Sequence, residues 1–196
     1  MRVVGLALVT LAALVALAAC SGNSATPPPK PTPSVPTMVD DPINLNNIAG
    51  KPCTMLRPDQ LAQFHILAPG TTGAGPLSTA AGVPVCTWQP SQHTEPVYAA
   101  AVDRHSGGLD ALYKRRASLP VFQPFAESGY PGVNTATSKN ALASGRCTVQ
   151  IEVAAGVLLD AAVTVRDTQA PDYTDPCSDA QSFAAAIIAN SQGQQP

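Results

Sequence analysis

Hydrophobic and polar positions fall into three regimes along the chain. From Val3 to Leu17 every position is apolar except Gly5 and Thr10, a run shorter than the ~20 residues of a comfortable bilayer span. Between Pro27 and Pro42 apolar periodicity disappears and seven prolines recur, Pro27, Pro28, Pro29, Pro31, Pro33, Pro36 and Pro42. Beyond that, periodic patterns return. Pro58 and Asp59 followed by Leu61, Phe64 and Leu67 on one side predict a helix over 58–66. Strands are predicted over 85–89, which puts Cys86 and Trp88 on one face, and over 97–102, the two forming a hairpin. Gly107-Gly108 precedes a predicted helix over 109–118 with Leu109, Leu112 and Tyr113 on one side. Residues 128–133 read as a turn into a strand, and 146–154 and 157–166 are the strongest strand patterns, joined at Ala155-Gly156. Asp175 as N-cap and Pro176 as first helical residue open a last helix whose apolar face is Ala180, Phe183, Ala184, Ile187 and Ile188. Several antiparallel strands with three modest helices predict an α+β fold, a single domain with a twisted antiparallel sheet and helices packed mainly on one face.

The apolar run at the start ends in Leu17-Ala18-Ala19-Cys20, with Arg2 ahead of it. A basic n-region, a short apolar stretch and small residues before a cut are the parts of an export signal. The cysteine resembles the lipobox of bacterial lipoproteins, where its thiol forms a thioether to diacylglycerol. The expected organisation is a signal peptide over 1–19, an acylated Cys20 with a Pro-rich linker over 20–44, an extracytoplasmic domain over 45–191 and a flexible end over 192–196. Two or more acyl chains hold a protein stably on a membrane surface, and a polyproline II spacer at ~3.1 Å per residue lifts the domain ~60 Å from it. The expected localisation is therefore the extracytoplasmic face of the cell membrane, tethered rather than spanning. No PxxP-binding partner is implied by the linker itself.

Composition narrows the partners. With 11 basic against 13 acidic residues, net charge −2, and one more negative once Arg2 is removed, the chain is a poor match for nucleic acid. Lys114-Arg115-Arg116 is short and reads as a solvated helix face. Of the five cysteines, Cys53, Cys86, Cys147 and Cys177 remain once Cys20 carries lipid, an even number that predicts two disulfides in an exported protein. Each is thirty or more residues from the next, so zinc-type pairing is absent and no metal or other cofactor is expected. Spacing leaves all three connectivities open. The pairing expected here is Cys53 with Cys86 and Cys147 with Cys177, each of which would tie a terminal helix to a strand.

Cys53 ahead of Leu56, Pro58 and Leu61, the strand Cys86-Thr87-Trp88, the turn Gly129-Tyr130-Pro131-Gly132-Val133, Cys147, and Asp175-Pro176-Cys177 together resemble small actinobacterial, especially mycobacterial, envelope lipoproteins that share a domain of unknown function. The resemblance covers nearly the whole mature domain. It implies a lipid-anchored extracytoplasmic domain with no assigned reaction. Arg57 stands where such proteins usually carry a capping Thr or Ser, which weakens the start of the first helix.

Catalytic chemistry finds little support. Arg104-His105-Ser106-Gly107-Gly108 lacks the first glycine of a GxSxG elbow, and a triad from Ser106, Asp103 and one of His65, His93 or His105 would need the fold to assemble it. The histidines lack HxH or HExxH spacing, and Gly70-Thr71-Thr72-Gly73-Ala74-Gly75 has no following lysine. The expectation is a non-enzymatic binding or interaction module that meets an envelope protein. The alternative is a carrier of an apolar lipid or glycolipid, with a hydrolase as a remote third reading. Val149, Ile151, Val153, Val163 and Val165 read as core. Phe122, Phe125 and Tyr130 are the groove candidates, on the expectation that 68–84 and 119–131 form a mobile rim.

Overall fold

A computed structural model describes residues 39–73, 77, 82–89, 92 and 94–193. The predicted signal peptide, Cys20, most of the linker, His93 and 194–196 lie outside these residues. In chain order the elements are α1 (Asn46–Ala49), α2 (Pro58–Gln63), β1 (Thr71–Thr72), β2 (Val85–Trp88), β3 (Val97–Asp103), α3 (Gly108–Lys114), β4 (Val121–Glu127), β5 (Tyr130–Ala136), β6 (Arg146–Ala154), β7 (Val157–Thr164) and α4 (Pro176–Gln192). The strands form one sheet in the order β1-β2-β3-β7-β6-β5-β4, every neighbour antiparallel. The α+β class, the antiparallel sheet and both disulfides are as expected.

Alternation along the central strands sorts side chains onto two faces. The first face carries Cys86, Trp88, Tyr98, Ala100, Val102, Val149, Ile151, Val153, Ala161 and Val163, all buried beneath α4, α2 and α1. Helix α4 begins as its sequence predicts: Asp175 Oδ1 accepts from the Ser178 N–H at 3.3 Å, and Pro176 fills the first helical position. Its Phe183 ring lies 4.7 Å from Tyr98, 5.1 Å from Phe64 and 5.4 Å from Trp88, centroid to centroid. The second face is thinner. α3 covers one part of it, packing Leu109, Leu112 and Tyr113 against Val133 and Leu158, and Leu77 covers another, over Val85, Ala99, Ala101 and Ala162.

Both disulfides have the expected connectivity, Cys53–Cys86 and Cys147–Cys177, with Cα atoms 5.0 Å apart in each. The first pins the turn before α2 to β2; the second pins the start of α4 to β6. Loop closures of this length stabilise by ~3–4 kcal/mol each in the chain-entropy account.

Three predicted elements come out differently. The segment 119–131, read as a mobile rim, contains edge strand β4, paired with β5 from Val121↔Ala136 to Glu127↔Tyr130 through a turn in which Ser128 and Gly129 both have positive φ. Pro124 hides this strand from a sequence reading, yet an edge tolerates a residue that cannot donate to a ladder. Helix 109–118 stops at Lys114 and tightens into a 3₁₀ turn over Arg116–Ser118. Helix 58–66 stops at Gln63.

That early stop has a local cause. His65 takes φ 57°, its N–H donates to Ala62 O at 3.1 Å, and the Ile66 N–H donates to Leu61 O at 3.0 Å. This is a Schellman closure with histidine in the usual glycine slot. At the other end Arg57 brings no acceptor to the cap, and Gln60 compensates: its Oε1 accepts the Arg57 N–H at 3.1 Å. The Arg57 guanidinium instead donates to Asn190 Oδ1 at 2.6 Å, and Asn190 Nδ2 to Met55 O at 2.8 Å, so the cap residue ties α2 to the end of α4. Replacing His65 by glycine removes a Cβ from a left-handed position and is expected to stabilise the domain by about 1 kcal/mol in urea unfolding; a loss of stability would contradict the closure.

Candidate functional site

The three aromatic groove candidates do not come together. Phe122 and Phe125 are three apart on β4 and therefore point to opposite faces. Phe122 meets Tyr113 edge-on at 5.0 Å on the α3 side. Phe125 packs against the principal core on the other side, over Gly132, where an added Cβ would stand 2.7 Å from its ring. Tyr130 is buried; its hydroxyl donates to Asp41 O at 2.6 Å and accepts from Gln192 Nε2 at 3.2 Å, fastening the two ends of the domain to β5. All three are packing residues.

The apolar concavity lies elsewhere, between the 3₁₀ turn Pro52–Thr54, α2 and residues 66–70. It has a volume of about 500 Å³ and is lined by Leu56, Pro58, Leu61, Ala62, Ile66 and Leu67 among others, with no charged side chain. Leu67 stands at its lip, 80% exposed, the one large apolar side chain so exposed among the described residues. The wall behind it is tight. A Cβ on Gly70 would stand 2.2 Å from Cys86 Sγ and 2.7 Å from Trp88 Nε1, so glycine is required where this segment crosses the disulfide and the indole. The sequence signal for this groove was Leu67 itself, which continues the apolar side of α2 past the point where the helix ends.

The His105–Ser106 segment forms a turn. Asp103 Oδ1 accepts both the His105 N–H at 2.7 Å and the Ser106 N–H at 3.0 Å. Backbone amides thus hold one oxygen of this carboxylate as the acceptor of the turn, and no hydrogen bond joins the Asp103, His105 and Ser106 side chains among the described residues. The same residues contain no cluster of His, Cys, Asp and Glu suited to a metal and no helix long and apolar enough to cross a membrane.

The second face holds a buried polar chain. Thr135 Oγ1 donates to Gln150 Oε1 at 3.0 Å, and Gln150 Nε2 donates to Asp160 Oδ1 at 3.0 Å. Asp160 is 2% exposed. Burial, reinforced by the Asp103 charge and opposed by the Gln150 hydrogen bond and Arg115, pushes its carboxyl up to about 7. On the first face Asp179 receives the Tyr98 hydroxyl on both oxygens, at 3.0 and 2.9 Å. Burial there, with Asp172 nearby, outweighs that bond and lifts Asp179 to about 6.

Residues 15–190 match the model of a family described as "Protein of unknown function (DUF3558)". No curated protein and no solved structure matches the chain.

Buried Asp160 and half-buried Asp179 both bind their protons more tightly in the folded state than in the unfolded chain, where such a group titrates near 3.8. The folded state therefore holds more protons across that interval, and stability falls as pH rises from about 4 to about 7. Urea unfolding at about pH 5 and about pH 8 should show the domain more stable at the lower pH. Asp160→Asn keeps an acceptor for Gln150 without the charge, and should recover much of the difference at about pH 8. A domain that gains stability over this interval, or an Asn variant weaker than wild type at about pH 8, would show that the acid is ionised without penalty.

Proposed function

This chain belongs to the DUF3558 family of proteins of unknown function, and from that premise we propose that it is an envelope lipoprotein, held by an acylated Cys20, whose domain acts as a non-catalytic binding or interaction module outside the cytoplasm. One observation carries the reading. Disulfides consume four of the five cysteines, and the one left over stands at the end of the apolar run behind Leu17-Ala18-Ala19. Paired cysteines suit an oxidising compartment, and a lone thiol at a signal cleavage position suits lipidation. The Pro-rich stretch after it serves as the spacer.

A second reading, carriage of an apolar lipid, draws on the groove beside α2. Its uncharged lining and exposed Leu67 fit an alkyl chain better than a polar partner, since any charge seated there would lose its hydration without a counter-charge. Solvent extraction and mass spectrometry of the purified chain test this. A lipid recovered from wild type and lost from Leu67→Asp supports carriage, and repeated empty extractions exclude it.

The anchor is tested in an acid-fast or other Gram-positive host by intact-mass measurement of the membrane fraction. The expected product begins at Cys20 and carries at least two acyl chains; Cys20→Ala should leave the signal uncleaved by the lipoprotein pathway and abolish acyl mass. A mature N-terminus at another residue, unmodified, would overturn the proposal.

A further inference from the structure

The second face of the sheet carries a cleft that the lipid-anchor reading does not use. It has a volume of about 290 Å³ and is lined by Thr135, Ser138, Arg146, Thr148, Ala162 and Thr164 among others. The registers explain its shape. Thr135 stands opposite Thr148 and Thr148 opposite Ala162, while Arg146 stands opposite Thr164 one step along the same face. Cross-strand neighbours lie ~5 Å apart and same-face residues along a strand ~7 Å apart. Ala162, the smallest side chain in these rows, forms the floor between larger ones. The cleft thus presents hydroxyls from three adjacent strands across a width on the scale of one sugar ring, with one guanidinium at the margin.

The chemistry of this lining is selective. Arg146 is its only charged side chain, and among the described residues no carboxylate lies within salt-bridge distance of it. Thr148 and Thr164 are half-buried, and their hydroxyls make no side-chain hydrogen bond among the described residues. Thr135, largely buried, is held in place from the side by its diagonal neighbour on the same face, because its hydroxyl proton is committed to Gln150, itself fixed by Asp160; its oxygen lone pairs remain free to accept. Asp160 is turned to Gln150, so no negative side chain faces the cleft.

We propose that this cleft binds a single sugar ring bearing one negative charge, a uronate or a sugar phosphate, with Arg146 taking the anionic group and Thr135, Thr148 and Thr164 the ring hydroxyls. A guanidinium pairs with a carboxylate or phosphate through charge-assisted hydrogen bonds. Hydroxyls that both donate and accept match a polyol. The volume sits at the small end of ligand sites, the scale of one ring rather than of an oligomer. The site faces away from the apolar groove, which opens from the first face, and does not depend on lipidation.

The test is titration of the ¹⁵N-labelled full chain in detergent with glucuronate, glucose 6-phosphate, glucose and inorganic phosphate, read from amide shifts. Glucuronate and glucose 6-phosphate should move the amides of Thr135, Arg146, Thr148 and Thr164, with glucose and inorganic phosphate each binding at least tenfold more weakly. Arg146→Gln should bring the charged sugars to the level of glucose, and Thr148→Val with Thr164→Val should weaken all three sugars with the remaining spectrum unchanged. Inorganic phosphate binding as tightly as glucose 6-phosphate would reduce the site to an exposed arginine. Glucose matching glucuronate, an Arg146→Gln variant that binds as wild type, shifts confined to other residues, or no shifts at all would each overturn the proposal.

Discussion

Everything on the first face depends on Phe183 reaching the sheet. Its ring stacks on Tyr98 and meets Trp88 and Phe64 edge-on, joining α4, α2, β2 and β3 in one contact. Aromatic pairs of this geometry contribute ~0.5–1.5 kcal/mol each beyond the area they bury. The other fastenings work around that point. Cys147–Cys177 fixes the start of α4, Arg57 and Met55 hold its end through Asn190, and Cys53–Cys86 carries the segment before α2 onto the strand that bears Trp88. The apolar groove exists because α2 and residues 66–70 are anchored at this wall, with Gly70 thin enough to cross it.

The two faces differ in how they are filled, and that difference decides where sites can lie. Aromatic and branched residues under three helices leave little space on the first face except at its rim. On the second face the small side chains Ala99, Ala101 and Ala162 lie buried under Leu77, beside the contacts of α3, and hydroxyl-bearing strands line a cleft next to them. The polar chain Thr135–Gln150–Asp160 crosses this face under cover. Its acid is tolerated because burial favours the protonated form, which keeps a full charge out of the interior.

Sequence alone reveals those parts of the fold in which one residue type has one physical use. Asp175 and Pro176 mark α4 because a cap acceptor and a preset φ have few other roles together; β6 alternates cleanly because one face of it is deeply buried, and β7 reads as a continuous apolar run because it is covered on both faces. The disulfide number follows from cysteine parity, whereas their partners depend on which strands become neighbours. β4 stays hidden because Pro124 mimics a loop and only its place at the sheet edge makes it harmless. The end of α2 stays hidden because histidine rarely takes the left-handed slot. The aromatic groove candidates misled for a related reason: Phe122 and Phe125 look clustered in a loop, but a strand sends them to opposite faces. The cleft on the second face has no local signature, since its hydroxyls come from three strands brought into register only by folding.

Urea unfolding of Phe183→Ala, with both disulfides intact, tests the central claim most directly. If Phe183 is the contact that holds the helical layer to the sheet, its removal should cost about 3–5 kcal/mol and abolish the near-ultraviolet circular dichroism of the sole tryptophan, Trp88, under conditions where wild type remains folded. A loss below about 1 kcal/mol with the Trp88 signal intact would mean that the disulfides and the remaining apolar side chains of α4 hold the layer without it.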